Sequence, residues 1–269
     1  MTTISLIFTL LFYTALVIFI VGMVHKIYQF STTPVPLKIP VAPTPLTKGG
    51  VVMRIAREVV LFESLFKSNK WIWLFGFLFH FGLALVLIRH LRYFWPGDIP
   101  DILLLTQPFK YAAFAMLIGL TGLLARRIVV ARIRYISAPS DYLMLIMLMI
   151  IGISGAIMTF TDNHIDIIMA KDFASGLIVF NWSNMPEQIH FIVHFLLVLV
   201  LMAIFPISKL LHIPGIFFSP TLNQVDDARK KRHISSWAKK QERDGEVRLG
   251  QPLGDDTYTT IKPKTKGDK

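Results

Sequence analysis

The 269-residue sequence contains no cysteine. The chain therefore has no disulfide framework, no cysteine-ligated zinc or iron–sulfur cluster and no thioether-linked haem of its own. Carboxylates are also missing where the chain is most apolar, because no Asp or Glu lies in the long hydrophobic runs at about 4–23, 71–93, 109–125, 142–160 and 189–211. A metal or redox cofactor bound within these runs would have to use histidine or methionine.

Apolar residues make up 54% of the sequence, and the mean hydropathy is +0.56. These values lie outside the range of soluble domains and predict an integral membrane protein, since each run can cross a bilayer. The net charge of +11 comes largely from Lys and Arg beside the runs. In that position basic residues act as topology signals and membrane-surface contacts, so we expect lipid rather than nucleic acid as their partner.

The distribution of basic residues also predicts an orientation. Seven Lys or Arg lie between Lys26 and Lys70 and four between Arg126 and Arg134, whereas 161–187 has one and the N-terminus has none before the first run. Positive loops stay on the cytoplasmic side. We therefore predict an all-α bundle of five transmembrane helices with a periplasmic N-terminus. The membrane domain covers 1–213, and 214–269 forms a cytoplasmic tail.

The connecting segments differ in composition. We predict a retained first helix, because no basic residue or small-residue cleavage site marks a signal peptide. A proline-rich loop follows at 27–50 and an interfacial amphipathic helix at 51–67. The segment 161–187, with His164, reads as an acidic loop, and the end of the tail has too few apolar residues to build a core.

Histidines occur in two of the apolar runs. His80 and His90 lie on the second, His190 and His194 begin the fifth, and His212 follows its end. An imidazole in hydrocarbon is costly unless something binds it. His80 and His90 differ by about 15 Å along a helix, and the eighteen residues from His194 to His212 return to the same face. The spacing predicts an outer pair, His90 with His194, and an inner pair, His80 with His212.

Two imidazole pairs in a carboxylate-free setting favour the axial ligation of two haems b. His190 remains an alternative to His194 as the outer ligand. Eighteen residues span about 27 Å of straight helix, so tilt and a kink at Pro206 must absorb the difference. A metal transporter, which normally places carboxylates among its histidines, and a haem-free anchor are the competing classes.

These features resemble the cytochrome b (gamma) subunit of respiratory nitrate reductase and its relatives over about residues 1–215. The shared pattern is five spans, a histidine pair ten apart on helix two and a pair eighteen apart on helix five. The segment FHFGLALVLIRH resembles the helix-two motif, although Arg89 stands where many members have Gly. The segment HIPGIFFSPTLNQVDDARKKRHISSW resembles the membrane subunit of the complex associated with dissimilatory sulfite reductase.

The resemblance implies a subunit with two haems b that passes electrons between menaquinone or ubiquinone and a cytoplasmic iron–sulfur partner related to heterodisulfide reductase. It implies an oxidoreductase complex of sulfur or sulfite metabolism, with other membrane subunits, in a bacterial or archaeal inner (cytoplasmic) membrane. It also implies that Lys110, twenty residues after His90, contributes to a quinone site near the outer haem. The alternatives are a nitrate reductase gamma subunit and, for Lys110, an interfacial anchor.

Overall fold

The computed structural model describes residues 1–34, 43–95, 98, 100–162 and 165–226, without the side chain of residue 104. The predictions for the middle of the proline-rich loop (35–42), for His164 and for the tail from 227 to 269 lie outside the described residues. Throughout the described ranges the regular structure is helical, with no strand.

The described ranges contain eleven α-helices: α1 Thr3–Thr32, α2 Lys48–Leu61, α3 Glu63–Ser68, α4 Lys70–Phe94, α5 Asp101–Leu104, α6 Ala112–Val129, α7 Ala131–Ile136, α8 Pro139–Phe160, α9 Ile167–Val179, α10 Ile189–Ile204 and α11 His212–Gly215. Short 3₁₀ helices lie at Gln107–Tyr111, Phe205–Ile207, Lys209–Leu211 and Ile216–Phe218. Five helical segments, those of α1, α4, α6, α8 and α10, are long and apolar enough to cross a bilayer. The chain is therefore an all-helical, multi-pass membrane protein, and the sides on which its termini lie remain a prediction.

The first compact unit takes in Met1–Tyr28 and Val60–Leu211. One core cluster joins α1, α9 and α10 through buried Phe8, Phe173 and Leu199. A second joins α4 and α6 through Phe79, Met116 and Leu120, with α8 side chains packed against it. These clusters fix the helices that carry His80, His90 and His194.

The second unit takes in Gln29–Val59 and the chain from His212, of which residues to 226 are described. The rings of Phe30 and Phe218 lie 6.0 Å apart. The backbone N–H of Asp226 donates to the carbonyl of Pro45 over 3.0 Å. The start of the predicted tail therefore packs against Phe30 and Pro45, which belong to the same unit.

The predicted interfacial helix at 51–67 is divided in two. α2 ends at Leu61 and α3 begins at Glu63, because Phe62 between them has a left-handed backbone with φ of 50°. A non-glycine residue in this region is uncommon and interrupts a helix. The ring of Phe62 lies 5.0 Å from that of His80, centroid to centroid.

The segment predicted as an acidic loop contains α9. Asp166 caps this helix, since its Oδ1 accepts the backbone N–H of Ile168 at 2.9 Å and of Met169 at 3.1 Å. α9 buries Phe173 and Leu177 and packs against α4. The prediction of a loop was wrong here. The apolar stretch that forms α9 is too short to span a bilayer, and the carboxylates around it favoured a loop.

The fifth apolar helix ends earlier than predicted. α10 stops at Ile204 and the chain continues as a 3₁₀ turn around buried Pro206. Proline has no N–H and disfavours the preceding helical turn, so the predicted kink is a helix end. The argument that eighteen helical steps place His194 and His212 on one face therefore does not apply.

A buried carboxylate binds the segment that follows the end of α10. Asp141, 7% exposed, lies in the first turn of α8. Its Oδ1 is 2.5 Å from Lys209 Nζ, and its Oδ2 is 3.0 Å from Arg127 Nη1. The segment after α10 is thus tied to α6 and α8 by ion pairs.

Candidate functional site

The position of α4 is set by glycines at its contact with α6. A Cβ on Gly82 would lie 2.7 Å from the backbone N of Met116, and one on Gly119 would lie 2.5 Å from the backbone N of Phe79. Real Cβ atoms do not approach backbone atoms so closely, so only glycine allows the two helices this separation. The helix that carries His80 and His90 is held by direct backbone packing.

The position of His194 is set by α8. α10 packs along α8, and a Cβ on Gly155 would lie 3.4 Å from His194 Cε1. The Nδ1 of His194 lies 3.0 Å from the carbonyl oxygen of Ile151 and 3.0 Å from Ser154 Oγ. The Ser154 hydroxyl itself donates to the Ile151 carbonyl over 2.9 Å. α8 therefore supplies both the space for this ring and the acceptors that orient it.

His90 and His194 face each other between α4 and α10. Their ring centroids are 6.3 Å apart and their planes differ by 7°. His90 Nδ1 lies 2.7 Å from the carbonyl oxygen of Val86. Since a carbonyl only accepts, Nδ1 of each ring carries the proton, and each Nε2 keeps its lone pair. In this tautomer each imidazole can bind a metal through Nε2.

The separation of the rings fits two imidazoles on one iron. With a metal–nitrogen distance of about 2 Å and roughly 1 Å from nitrogen to ring centre, trans imidazoles place their centroids about 6 Å apart. No group of three or more His, Cys, Asp or Glu side chains that could hold a metal occurs among the described residues. A two-ligand site suits a metal whose equatorial nitrogens come from a porphyrin, so the residues present fit a haem.

His80 has the same hydrogen-bonding pattern as His90. Its Nδ1 lies 2.7 Å from the carbonyl oxygen of Gly76, one turn earlier on α4. Its ring packs edge-on against Phe79 at 4.6 Å and Phe62 at 5.0 Å. His212, its predicted partner, begins α11 in the second unit and is exposed. The pairing of His80 with His212 stays a prediction.

His190 lies one turn before His194 on α10. Neither a hydrogen bond nor a ring contact joins its side chain to any described residue. It lacks the backbone acceptor that orients His80, His90 and His194. Its place as an alternative outer ligand also stays a prediction.

Lys110 lies in the 3₁₀ helix Gln107–Tyr111, which packs against α4. Its Nζ is 5.1 Å from the ring centroid of Tyr111 and 5.8 Å from that of Phe160. Aromatic faces stabilise a cation at such distances. The ammonium is therefore held among rings at the α4 end that carries His90, and its predicted role toward a quinone stays a prediction.

Sequence reasoning missed Ser154, Tyr93 and Arg92. Ser154 gives no signal in the sequence, because nothing in its spacing links it to His194, forty residues away on another helix. Tyr93 contacts His90 edge-on at 5.8 Å and accepts a 2.6 Å hydrogen bond from Arg92. The signal that could have found Arg92 and Tyr93 is the basic and aromatic cluster directly after His90.

Comparison with known proteins places this arrangement in a family. The family model described as "Nitrate reductase gamma subunit" matches residues 49–223. A relative from Archaeoglobus fulgidus, named "Hdr-like menaquinol oxidoreductase cytochrome b-like subunit", is 34% identical over 84% of this chain and 81% of its own length. A relative of the same name from Archaeoglobus profundus is 31% identical over 94% of this chain and 88% of its own length. The chain belongs to the nitrate reductase gamma subunit family, to which the sequence resemblance pointed.

Proposed function

We propose that this chain is the quinone-reactive cytochrome b subunit of a membrane oxidoreductase complex, holding two haems b. The observation that carries the proposal is the pair of parallel imidazoles of His90 and His194, 6.3 Å apart, each with Nδ1 hydrogen-bonded to a carbonyl. His90 and His194 bind the outer haem. His80 and His212 bind the inner haem, an assignment that rests on the family resemblance in which helices two and five each supply a histidine pair.

The residues around the outer site bind and orient rather than react. The carbonyls of Val86 and Ile151 hold the Nδ1 protons and raise the basicity of each Nε2. Glycine-mediated packing of α4 on α6 holds the helix that carries His90 in place. A haem bound there supplies reversible one-electron transfer of its iron.

Lys110 acts on the quinol. A quinol oxidised to quinone loses two electrons and two protons, and its oxygens become more negative as the protons leave. The ammonium of Lys110, held over Tyr111 and Phe160, stabilises that charge in a low-dielectric setting. With the predicted orientation the protons would be released outside, and haems held by His90 with His194 and by His80 with His212 would supply the route for the electrons.

The partner is a cytoplasmic iron–sulfur subunit related to heterodisulfide reductase, within a complex of sulfur or sulfite metabolism. Two relatives that align over most of their length carry "Hdr-like menaquinol oxidoreductase" in their names, which supports this partner class and a menaquinol substrate. A nitrate reductase gamma subunit is the second candidate, supported by the family match over 49–223. Co-purification of a subunit related to heterodisulfide reductase, or of a subunit that reduces nitrate, separates the two.

Haem content tests the proposal. The full-length chain purified in detergent should yield two haems b by pyridine haemochrome. His90→Ala and His194→Ala should each leave one, as should His80→Ala and His212→Ala, because both imidazoles hold each haem. His25→Ala, an exposed histidine on α1, is the control and should leave two.

His190→Ala decides the remaining alternative, since loss of the outer haem in that variant with retention in His194→Ala would reassign the ligand. A haem-free wild type would favour an anchor without cofactor, and bound transition metal without an α-band would favour a transporter. Lys110→Ala, with both haems retained, should slow quinol oxidation by about 10²-fold or more. An unchanged rate would move quinone chemistry elsewhere.

A further inference from the structure

Arg92 is a buried cation in the last turn of α4. It is 7% exposed and lies two residues after His90. Its Nη2 donates to the Tyr93 hydroxyl over 2.6 Å, and its Cζ lies 4.7 Å from the centroid of the Tyr93 ring. Its Nη1 makes a long contact of 3.4 Å to Gln107 Oε1. The guanidinium is held in place by neutral groups.

One hydrogen-bond donor of this guanidinium has no acceptor among the described residues. Arg92 Nε is buried without an acceptor among the described residues, and so is Arg89 Nε one turn earlier. Neither arginine forms an ion pair with a carboxylate within those ranges. Arginine stays protonated in proteins, and a buried charge without a counter-ion is costly. Arg89 and Arg92 also repel each other at a spacing of three residues.

The geometry points to an anion that binds Arg92 and Arg89 beside His90. The buried position of Arg92 argues for an anion that lies inside the bundle rather than for a lipid phosphate at its surface. Tyr93 connects the arginine to the proposed axial ligand, because it touches the His90 ring and the guanidinium at once. A haem b carries carboxylates on its edge, which are anionic near neutral pH and match the planar fork of a guanidinium.

We propose that Arg92, assisted by Arg89, binds a propionate carboxylate of the haem held by His90 and His194. This rests on the proposed function. The two arginines then neutralise the haem edge and satisfy the donors that the protein leaves open. Arg89, directly before His90 on α4, becomes part of the haem site.

The test compares haem with its dimethyl ester, which has the same ring and iron but no free carboxylates. The full-length chain is produced without haem in the His80→Ala background, so that only the His90–His194 site is filled, and is titrated with hemin or hemin dimethyl ester. Arg92→Gln should weaken hemin binding by about 10- to 100-fold, the range for a charge-assisted hydrogen bond. It should leave binding of the ester unchanged.

Arg92→Lys should retain part of the affinity for hemin, and Arg132→Gln, an exposed arginine on α7, should behave as wild type. Equal loss with both compounds, or no loss with either, would overturn the proposal and assign Arg92 to the fold or to a lipid phosphate. If Arg92→Gln does not fold, Arg89→Gln gives the same comparison. Failure of the parent chain to bind either compound would overturn the proposed function itself.

Discussion

His90 and His194 are oriented by different acceptors. The Nδ1 of His90 has one carbonyl on its own helix, whereas that of His194 has both the Ile151 carbonyl and Ser154 Oγ on α8. An acceptor at Nδ1 makes an imidazole more basic and favours the oxidised state of a metal bound to it. We therefore expect Ser154 to position His194 and to lower the potential of the proposed outer haem.

We expect Ser154→Ala to raise the midpoint potential of the outer haem. Because the Ile151 carbonyl remains, the reduction equilibrium should change about two- to tenfold, which is about 20–60 mV for a one-electron couple. Redox titration of the purified chain measures this. Ser175→Ala, a serine on α9 that bonds to a carbonyl of its own helix, is the matched control. An unmoved potential with haem still bound would show that Ser154 serves packing alone.

At the residue scale, part of the candidate site was predictable from the sequence. The histidine pattern predicted that His90 and His194 form a pair. Their rings lie 6.3 Å apart, and their binding of a haem stays a prediction. Ser154 and Arg92 could not be found in this way. Ser154 matters because the fold brings His194 to it from another helix, and Arg92 matters because the fold buries its Nε without an acceptor among the described residues. The periodicity of one helix carries no information about its partner.

The contact between α4 and α6 depends on Gly82 and Gly119. We expect Gly119→Ala and Gly82→Ala to destabilise the chain by about 1–3 kcal/mol, because the new methyl group meets backbone atoms that cannot turn away. The melting temperature in detergent should fall by several degrees.

Gly49→Ala is the control for these variants, since a Cβ on Gly49 of α2 meets nothing within 4 Å. Alanine is the better helix former there, so this variant should be neutral or slightly stabilising. Equal melting temperatures for Gly119→Ala and Gly49→Ala would contradict the close packing of α4 and α6.

Helices of membrane-spanning length were predictable, but their ends and the short helix were not. Each run of apolar residues is long enough to dictate a helix in lipid, where backbone groups must bond internally. The end of α10 before Pro206 and the start of α9 at Asp166 each depend on a single residue. The average composition of a segment does not reveal such a residue. The predicted eighteen-residue register failed for this reason.

For the whole molecule, the predicted arrangement of five spans puts the termini on opposite sides of the membrane, and the basic loops predict which side each terminus occupies. The absence of cysteine makes single-cysteine labelling free of background. In intact spheroplasts an impermeant maleimide should label Glu187→Cys, before α10, and spare Ser140→Cys, at the start of α8. Lysis should expose both. The reverse pattern would invert the orientation and, with it, the direction of proton release.

The local acceptors of the α4 histidines bear on how the protein is assembled. His80 and His90 each bond to a carbonyl one turn earlier on α4, so their tautomer and orientation need no other helix. His194 is synthesised about a hundred residues later, and at roughly 5–20 residues per second that leaves several seconds in which α4 presents ligands alone. Insertion of α10 beside α8 then completes the outer site. During biosynthesis a cofactor would thus bind first to the histidines of α4. His194 on α10 would then supply the second ligand of the outer site and complete the binding.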